Sequence, residues 1–315
     1  MKSNLNKIFL LTLLAACFSI ISYKLPVAKA SDTHNTTHES KPNPSVVPTD
    51  RNSNNQNNSA LVPIQENEKY GYADRTGKIV IPPQFDEARK FSDGLGMVRI
   101  NNKYGYVAET GKLVIPVKFD DALEFSEGLA AVKVNDKWGY IDRTGNVVVP
   151  PQFDEAKHFS EGLGLVGLDG KTASHSHSAN SKEPTRKYGY VDRTGKVVIP
   201  INLAHAFTFS EGLVQVIIDE NPNIPNSGKY GYMDRKGKIV IAPQFGCADP
   251  FSEGLARVSI NNKNGYIDRT GKFVIPPQFD VAASFSGGLA EVRLGDKSGY
   301  IDKTGKFVEN PNQPK

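Results

Sequence analysis

Lys137-Trp138-Gly139-Tyr140-Ile141-Asp142-Arg143-Thr144-Gly145 is a phrase that the 315-residue chain restates along most of its length. Gly139 follows Gly105 by 34 residues, Gly105 follows Gly71 by 34, and Gly189, Gly231, Gly265 and Gly299 are further copies, each followed by Tyr. Self-similarity at such a period marks an array of small structural units that bury their apolar surface against one another.

Within one unit the pattern reads as strands. In Leu129-Ala130-Ala131-Val132-Lys133-Val134, Ala130, Val132 and Val134 point one way and Ala131 and Lys133 the other, and the copies holding Val98 and Val292 agree. Period-two alternation predicts a strand with one drier and one wetter face. Asn135-Asp136-Lys137 is a tight connection, and Trp138 to Ile141 is the second strand. Asp142-Arg143-Thr144-Gly145 has Asp and Gly where a type I turn wants them, with Gly free to take the positive φ of a bulged hairpin. Asn146 to Val149 is the third strand, whose apolar run predicts burial on both faces, and Pro150-Pro151 is expected to end it. An irregular connector anchored by Phe153, Ala156 and Phe159 leads through Ser160-Glu161-Gly162 into the next unit.

The expected fold is all-β: tandem three-stranded antiparallel meanders, about seven units from residue 60 to 309. A propeller-like ring is preferred to an open β-solenoid because seven falls within the usual blade number of about 4–8. The spacing lengthens twice, and the extra residues near 171–186 and 220–227 are expected as protruding loops; 310–315 is a tail.

The phrase Lys-Trp/Tyr-Gly-Tyr-x-Asp-x-x-Gly, with Phe-Ser-Glu-Gly-Leu further on, resembles the WG repeat of bacterial WG-repeat proteins over roughly residues 69–309. The resemblance implies an all-β repeat fold and brings no catalytic residues. Departures are visible: only Trp138 keeps the Trp, Asn264 and Ser298 lose the ring, Ala108 and Glu109 replace Asp-Arg, and Leu203-Ala204-His205-Ala206 alters the fourth connector.

Residues 1–30 read as an export signal: Lys2 and Lys7, an apolar core from Ile8 to Ile21, and Ala28-Lys29-Ala30 as a cleavage site. The expected location is periplasmic or extracellular. The alternative is a lipoprotein anchored through Cys17, since Leu14-Ala15-Ala16-Cys17 resembles a lipobox. Residues 31–59, rich in Asn, Ser, Thr and Pro, read as a disordered linker. Removing the four leader lysines from 38 basic residues leaves 34, against 34 acidic. A neutral mature chain argues against nucleic acid or an anionic membrane as partner, and the short leader core leaves no transmembrane span in the mature chain. Cys247 is then alone, and is read as a small buried filler.

No enzymatic constellation stands out. The recurring pairs Asp74-Arg75, Asp142-Arg143, Asp192-Arg193, Asp234-Arg235 and Asp268-Arg269 are turn residues rather than a convergent site. Asp86-Glu87, Asp120-Asp121 and Asp154-Glu155 lack the dense alternating ligands of a calcium loop, and His175 and His177 sit in a Ser-rich insert. No metal, cofactor or catalytic residue is expected. What varies between copies is the connector, so Arg89, Lys90, Leu123, Glu124, Lys157, His158, Phe207, Thr208, Asp249, Pro250, Ala283 and Ser284 form a candidate partner-contact strip. The expected function is an exported, non-enzymatic scaffold for an unidentified protein or cell-envelope component, in an oligomeric state the sequence does not specify. The alternative is a glycan-binding module, which requires exposed Tyr or Trp138 rings.

Overall fold

A short polar turn can reverse a strand only if its residues tolerate positive φ, and the hairpins here meet that condition with Asn and Asp. Asn135 and Asp136 lie at φ 49° and 62°, as do their counterparts Asn101-Asn102 and Asn261-Asn262, which closes two-residue loops of the mirror-image type. The opposite turn is built as the sequence predicts: the Gly145 amide donates to Asp142 O, the Asp142 amide to Asn146 O, and Gly145 sits at φ 87°.

The computed structural model describes residues 61–170, 186–218 and 228–309, together with the backbone of Ser45–Val46. The leader with Cys17, most of the linker, the two inserts apart from Arg186, and the tail lie outside the described residues. No helix occurs among the described residues, so none is long and apolar enough to cross a membrane.

Seven antiparallel sheets follow one another, six of four strands and the fifth of three. The fourth sheet has the full set, Glu155–Ser160, Leu163–Leu168, Lys187–Asp192 and Val197–Leu203, hydrogen-bonded in that order. Its outer strand Glu155–Ser160 comes from the connector, so the predicted three-stranded meanders gain an edge strand there. The fifth sheet lacks this strand (Leu213–Ile218, Lys229–Asp234, Ile239–Phe245). Its connector is the altered Leu203-Ala204-His205-Ala206, where Ala204 stands at the position of Asp86, Asp120, Asp154 and Asp280. Asp86, Asp120 and Asp154 each accept the amide of a hairpin residue 15 positions on, at 2.7–2.8 Å, and so tie connector to hairpin; Ala204 cannot.

The third strand corrects two expectations. It does not stop at the prolines: Val147–Phe153 runs through Pro150 and Pro151 as an edge strand, where a missing amide costs no ladder bond. Nor is it buried on both faces, since Val149 is 1 % exposed but Val147 is 59 %. A β-branched run is equally compatible with an edge, and this strand has a neighbour on one side only.

The core lies between sheets. Leu129, Ala131, Tyr140, Val149 and Phe153 of the third sheet pack on Ala156, Phe159, Val166 and Val191 of the fourth. Corresponding clusters join the first to the second, second to third, fourth to fifth, fifth to sixth and sixth to seventh. Cys247, in the short strand Cys247–Ala248, is half-buried and not free, where the sequence reading assigned an unbonded buried filler.

Candidate functional site

The phenol of each recurring Tyr is a polar group at the end of an apolar ring, and burying it requires an acceptor. The next sheet supplies one. Tyr72 donates to Arg89 O, Tyr106 to Leu123 O, Tyr140 to Lys157 O, Tyr190 to Phe207 O, Tyr232 to Asp249 O and Tyr266 to Ala283 O, all at 2.6–2.8 Å and all 17 residues on. Each ring also meets a Phe of the next sheet, as Tyr140 does Phe159 with centroids 4.8 Å apart and planes at 77°. Burial pushes these phenols above their ordinary range, that of Tyr190 up to about 12. The carbonyls that accept belong to the first residue of every pair in the candidate strip, so the backbone of the strip is pinned unit by unit.

The Phe-Ser-Glu-Gly turn supplies a second link, one that sequence reasoning took for a simple reversal. Ser126 Oγ donates to Phe159 O at 2.8 Å, and Ser92, Ser160, Ser210 and Ser252 repeat the contact one sheet on. The Glu127 carboxylate accepts the amides of Glu161 and Gly162 at 2.6 and 2.8 Å. Asp93, Glu161, Glu211 and Glu253 act likewise on the following turn. The seventh unit has Gly287 at this position and no carboxylate to extend. The recurrence of Glu with a Gly in the last copy was the available signal.

The Asp-Arg pairs divide their work. Asp142 Oδ1 accepts from the amides of Thr144 and Asn146 and from the Thr144 hydroxyl, closing its own turn. Arg193 reaches the carbonyl of Glu127, and Arg235 that of Glu161, on the preceding sheet. The Thr144 hydroxyl, with the turn amides, holds the Asp142 carboxyl below the usual carboxylate range, and Asp74, Asp192, Asp268 and Asp302 are held down by the corresponding Thr in the same way. A depressed folded-state pKa stabilises above the unfolded value and loses that contribution as pH falls through the folded one. Stability is therefore expected to be flat from neutrality to about pH 4 and to fall progressively below it. Thermal unfolding across an acid series checks this, and stability rising below pH 4 would contradict it.

The strip itself is a row of unequal groups. Arg89 pairs with Glu87 at 2.7 Å and Lys157 with Glu155 at 2.7 Å, both within their own connectors. Lys90, Thr208 and Pro250 are exposed. Leu123 and Phe207 lean into the intersheet core, Phe207 facing Tyr230 with centroids 6.3 Å apart. Two contacts join strip residues of consecutive sheets: His158 Nε2 lies 3.2 Å from Glu124 Oε2, and Ser284 Oγ donates to Asp249 Oδ2 at 3.1 Å. The hydrogen bond to His158 holds the Glu124 carboxyl below its usual range. Asp249 also takes Arg257 in a two-pronged pair at 2.7 and 2.5 Å. Arg257, 7 % exposed, occupies a position that is Met97, Ala131 or Leu165 in other sheets, and its Nη1 donates to Asn264 Oδ1 at 2.8 Å. That bond accounts for the ring lost at Asn264: a guanidinium fills the space and the Asn satisfies it. Ala283 contributes its carbonyl to Tyr266.

No group of three or more His, Cys, Asp or Glu among the described residues is arranged to hold a metal ion. Asp86, Asp120 and Asp154 are instead engaged by Lys69, Lys103 and Lys137 of the preceding sheet.

A family model described as WG containing repeat matches residues 70–104, 104–138, 138–171, 188–221, 230–263 and 265–297. No protein of curated function matches the chain by sequence. Among solved structures, the chain is similar to tricorn protease, with 13 % identity, 77 % of this chain and 32 % of that one covered, and a TM-score of 0.38. It is similar to the extracellular domain of the putative hybrid two component system BT4673 from B. thetaiotaomicron (10 % identity, 81 % and 40 % covered, TM-score 0.36). It is also similar to the Neurospora crassa Pan2 WD40 domain (12 % identity, 79 % and 87 % covered, TM-score 0.32). The chain thus spans about a third of the length of tricorn protease and less than half of the BT4673 domain.

Proposed function

Because the chain belongs to the WG-containing-repeat family, we propose that it is an exported, non-enzymatic scaffold that presents the connector strip to a protein or cell-envelope partner. The observation that carries this reading is the fate of the recurring tyrosines. Six of them are at most 1 % exposed and spend their hydroxyls on the next sheet, so they hold the array together and offer no sugar-stacking face. The other ring position, Tyr70, Tyr104, Trp138, Tyr188 and Tyr230, is half-buried. Glycan binding would draw on exposed rings, which neither row supplies. Repeat arrays keep the core constant and vary one surface, and the strip varies here while the Tyr and Ser beneath it do not. Among the described residues Gly287 brings no carboxylate to the seventh turn, and Tyr300 is half-buried where the six other recurring tyrosines are fully covered.

The test is capture from cell-envelope extract by the full chain and by a variant carrying Lys90→Ala, Glu124→Ala, His158→Ala, Thr208→Ala and Ser284→Ala. The expected result is a partner retained by the parent chain and lost by the variant, with thermal unfolding of the two within a few degrees. Undiminished capture by the variant overturns the strip as the contact surface.

A further inference from the structure

The third strand of each sheet leaves one piece of apolar surface that packing does not use. Its first residues follow the Thr-Gly turn, and from Ile79 in the first sheet to Val274 in the sixth, nine Ile, Leu or Val side chains at these positions are 37–59 % exposed. They lie on consecutive sheets and on the same edge, and from the second sheet on the glycine of the turn lies against the buried Ile or Val of the preceding sheet's third strand, as Gly145 does against Ile115. The result is a hem of one or two exposed aliphatic side chains per sheet running across the sheet edges. A lysine precedes the hem residues in most units: Lys78, Lys112, Lys196, Lys238 and Lys272 are exposed and form no ion pair among the described residues. The lysines at the other end of the sheets behave differently, Lys69, Lys103, Lys137 and Lys263 each being paired with an Asp.

We propose that the hem is a docking track for an extended acidic polypeptide segment carrying an aliphatic residue at every third position. The spacing argues for it. Sheets packed face to face lie about 10 Å apart, and an extended polyproline-type chain advances about 9.3 Å in three residues. A peptide laid across the sheet edges therefore meets at least one exposed aliphatic side chain at each third residue and, except at Asn146, a lysine that forms no ion pair among the described residues. Charge complementarity selects the acidic chain: a second copy of this protein would set lysine against lysine. A bilayer fits less well, because the hem has no exposed Trp, Tyr or Phe, the side chains that seat proteins at a lipid interface. The hem is a different surface from the connector strip, and neither inference depends on the other.

The experiment is fluorescence anisotropy of the full chain with three labelled peptides, (Val-Glu-Pro)6, (Val-Lys-Pro)6 and (Ser-Glu-Pro)6, alongside co-sedimentation with phosphatidylglycerol vesicles. The acidic aliphatic peptide is expected to bind at least about tenfold more tightly than either control, and to weaken as salt is raised. Combined Val114→Ser, Val147→Ser and Val197→Ser, all on exposed positions, is expected to weaken it at least about fivefold with unfolding temperature preserved. Combined Lys112→Glu, Lys196→Glu and Lys238→Glu is expected to abolish the preference for acid. The connector-strip alanine variant is expected to bind the peptide like the parent, which separates failure of the hem from failure of the strip. Equal affinity for the basic peptide, indifference to the serine substitutions, binding to vesicles in place of peptide, or self-association lost with those serines would each overturn the proposal.

Discussion

Gly139→Ala is expected to cost at least about 3 kcal/mol of stability, and Gly299→Ala less than about 1 kcal/mol, although the two glycines occupy the same place in the repeated phrase. In the third sheet Trp138 is opposite Phe153 and Tyr140 opposite Val149, so the bulge at Pro150-Pro151 folds over Gly139 alone. A Cβ on Gly139 would lie 2.4 Å from Val149 O, 2.7 Å from Pro151 N and 2.8 Å from Pro150 C. All three are backbone atoms of a strand whose φ angles are fixed by proline, and none can swing aside. In the seventh sheet the described part of the third strand is Phe307–Val308, Asn310 stands where the third sheet has Pro150, and among the described residues the nearest atoms to a Cβ on Gly299 belong to the Phe307 ring at 3.3 and 3.5 Å. A ring can tilt. Denaturant unfolding of both variants against the parent checks the contrast, and equal costs would show that the glycine is kept for some reason other than the strand crossing it.

The paired Gly and Pro-Pro show what one chain lets a reader infer. The strands, the Asn-Asp hairpin and the Asp-to-Gly turn were legible because they are decided within a few residues by φ preference and alternation. Burial of the recurring Tyr was legible from its spacing. The Ser126–Phe159 and Glu127–Gly162 links were not, since they act between copies, and a Ser-Glu-Gly turn reads the same whether it faces water or a neighbour. Val147 misled for a related reason: an apolar β-branched run does not reveal whether a second strand lies alongside it. The edge strand missing from the fifth sheet does not follow from Ala204 alone, since Gly246 lacks the Asp as well and Cys247–Ala248 still pairs beside it. Arg257 escaped notice because it alternates correctly with its neighbours. Only the structure shows that it is buried there and matched by Asp249 and Asn264. Of the candidate strip, the sequence supplied the positions by variation alone. The structure adds that Glu124 and His158, and Asp249 and Ser284, meet across sheets.

The second large effect is expected at Tyr140. Tyr140→Ala should cost about 4 kcal/mol, since the ring is fully buried between the third and fourth sheets and its removal leaves a cavity there. Tyr140→Phe isolates the hydroxyl, which donates to Lys157 O at 2.8 Å and to Leu165 O at 3.2 Å, and should cost about 1 kcal/mol. Tyr300 is the control: it sits half-buried in the seventh sheet, with no further sheet over it among the described residues, so Tyr300→Ala should cost about 1 kcal/mol or less and Tyr300→Phe nothing measurable. Alkali probes the same links. Burial raises the Tyr140 phenol pKa in the folded chain, so its contribution is complete below the ordinary Tyr value of about 10 and is lost as pH rises through the folded-state value. Parent stability should therefore decline above about pH 10, and Tyr140→Phe should decline less. If Tyr300→Ala proves as damaging as Tyr140→Ala, the ring works within its own sheet, and the account of sheets locked each to the next through their tyrosines fails.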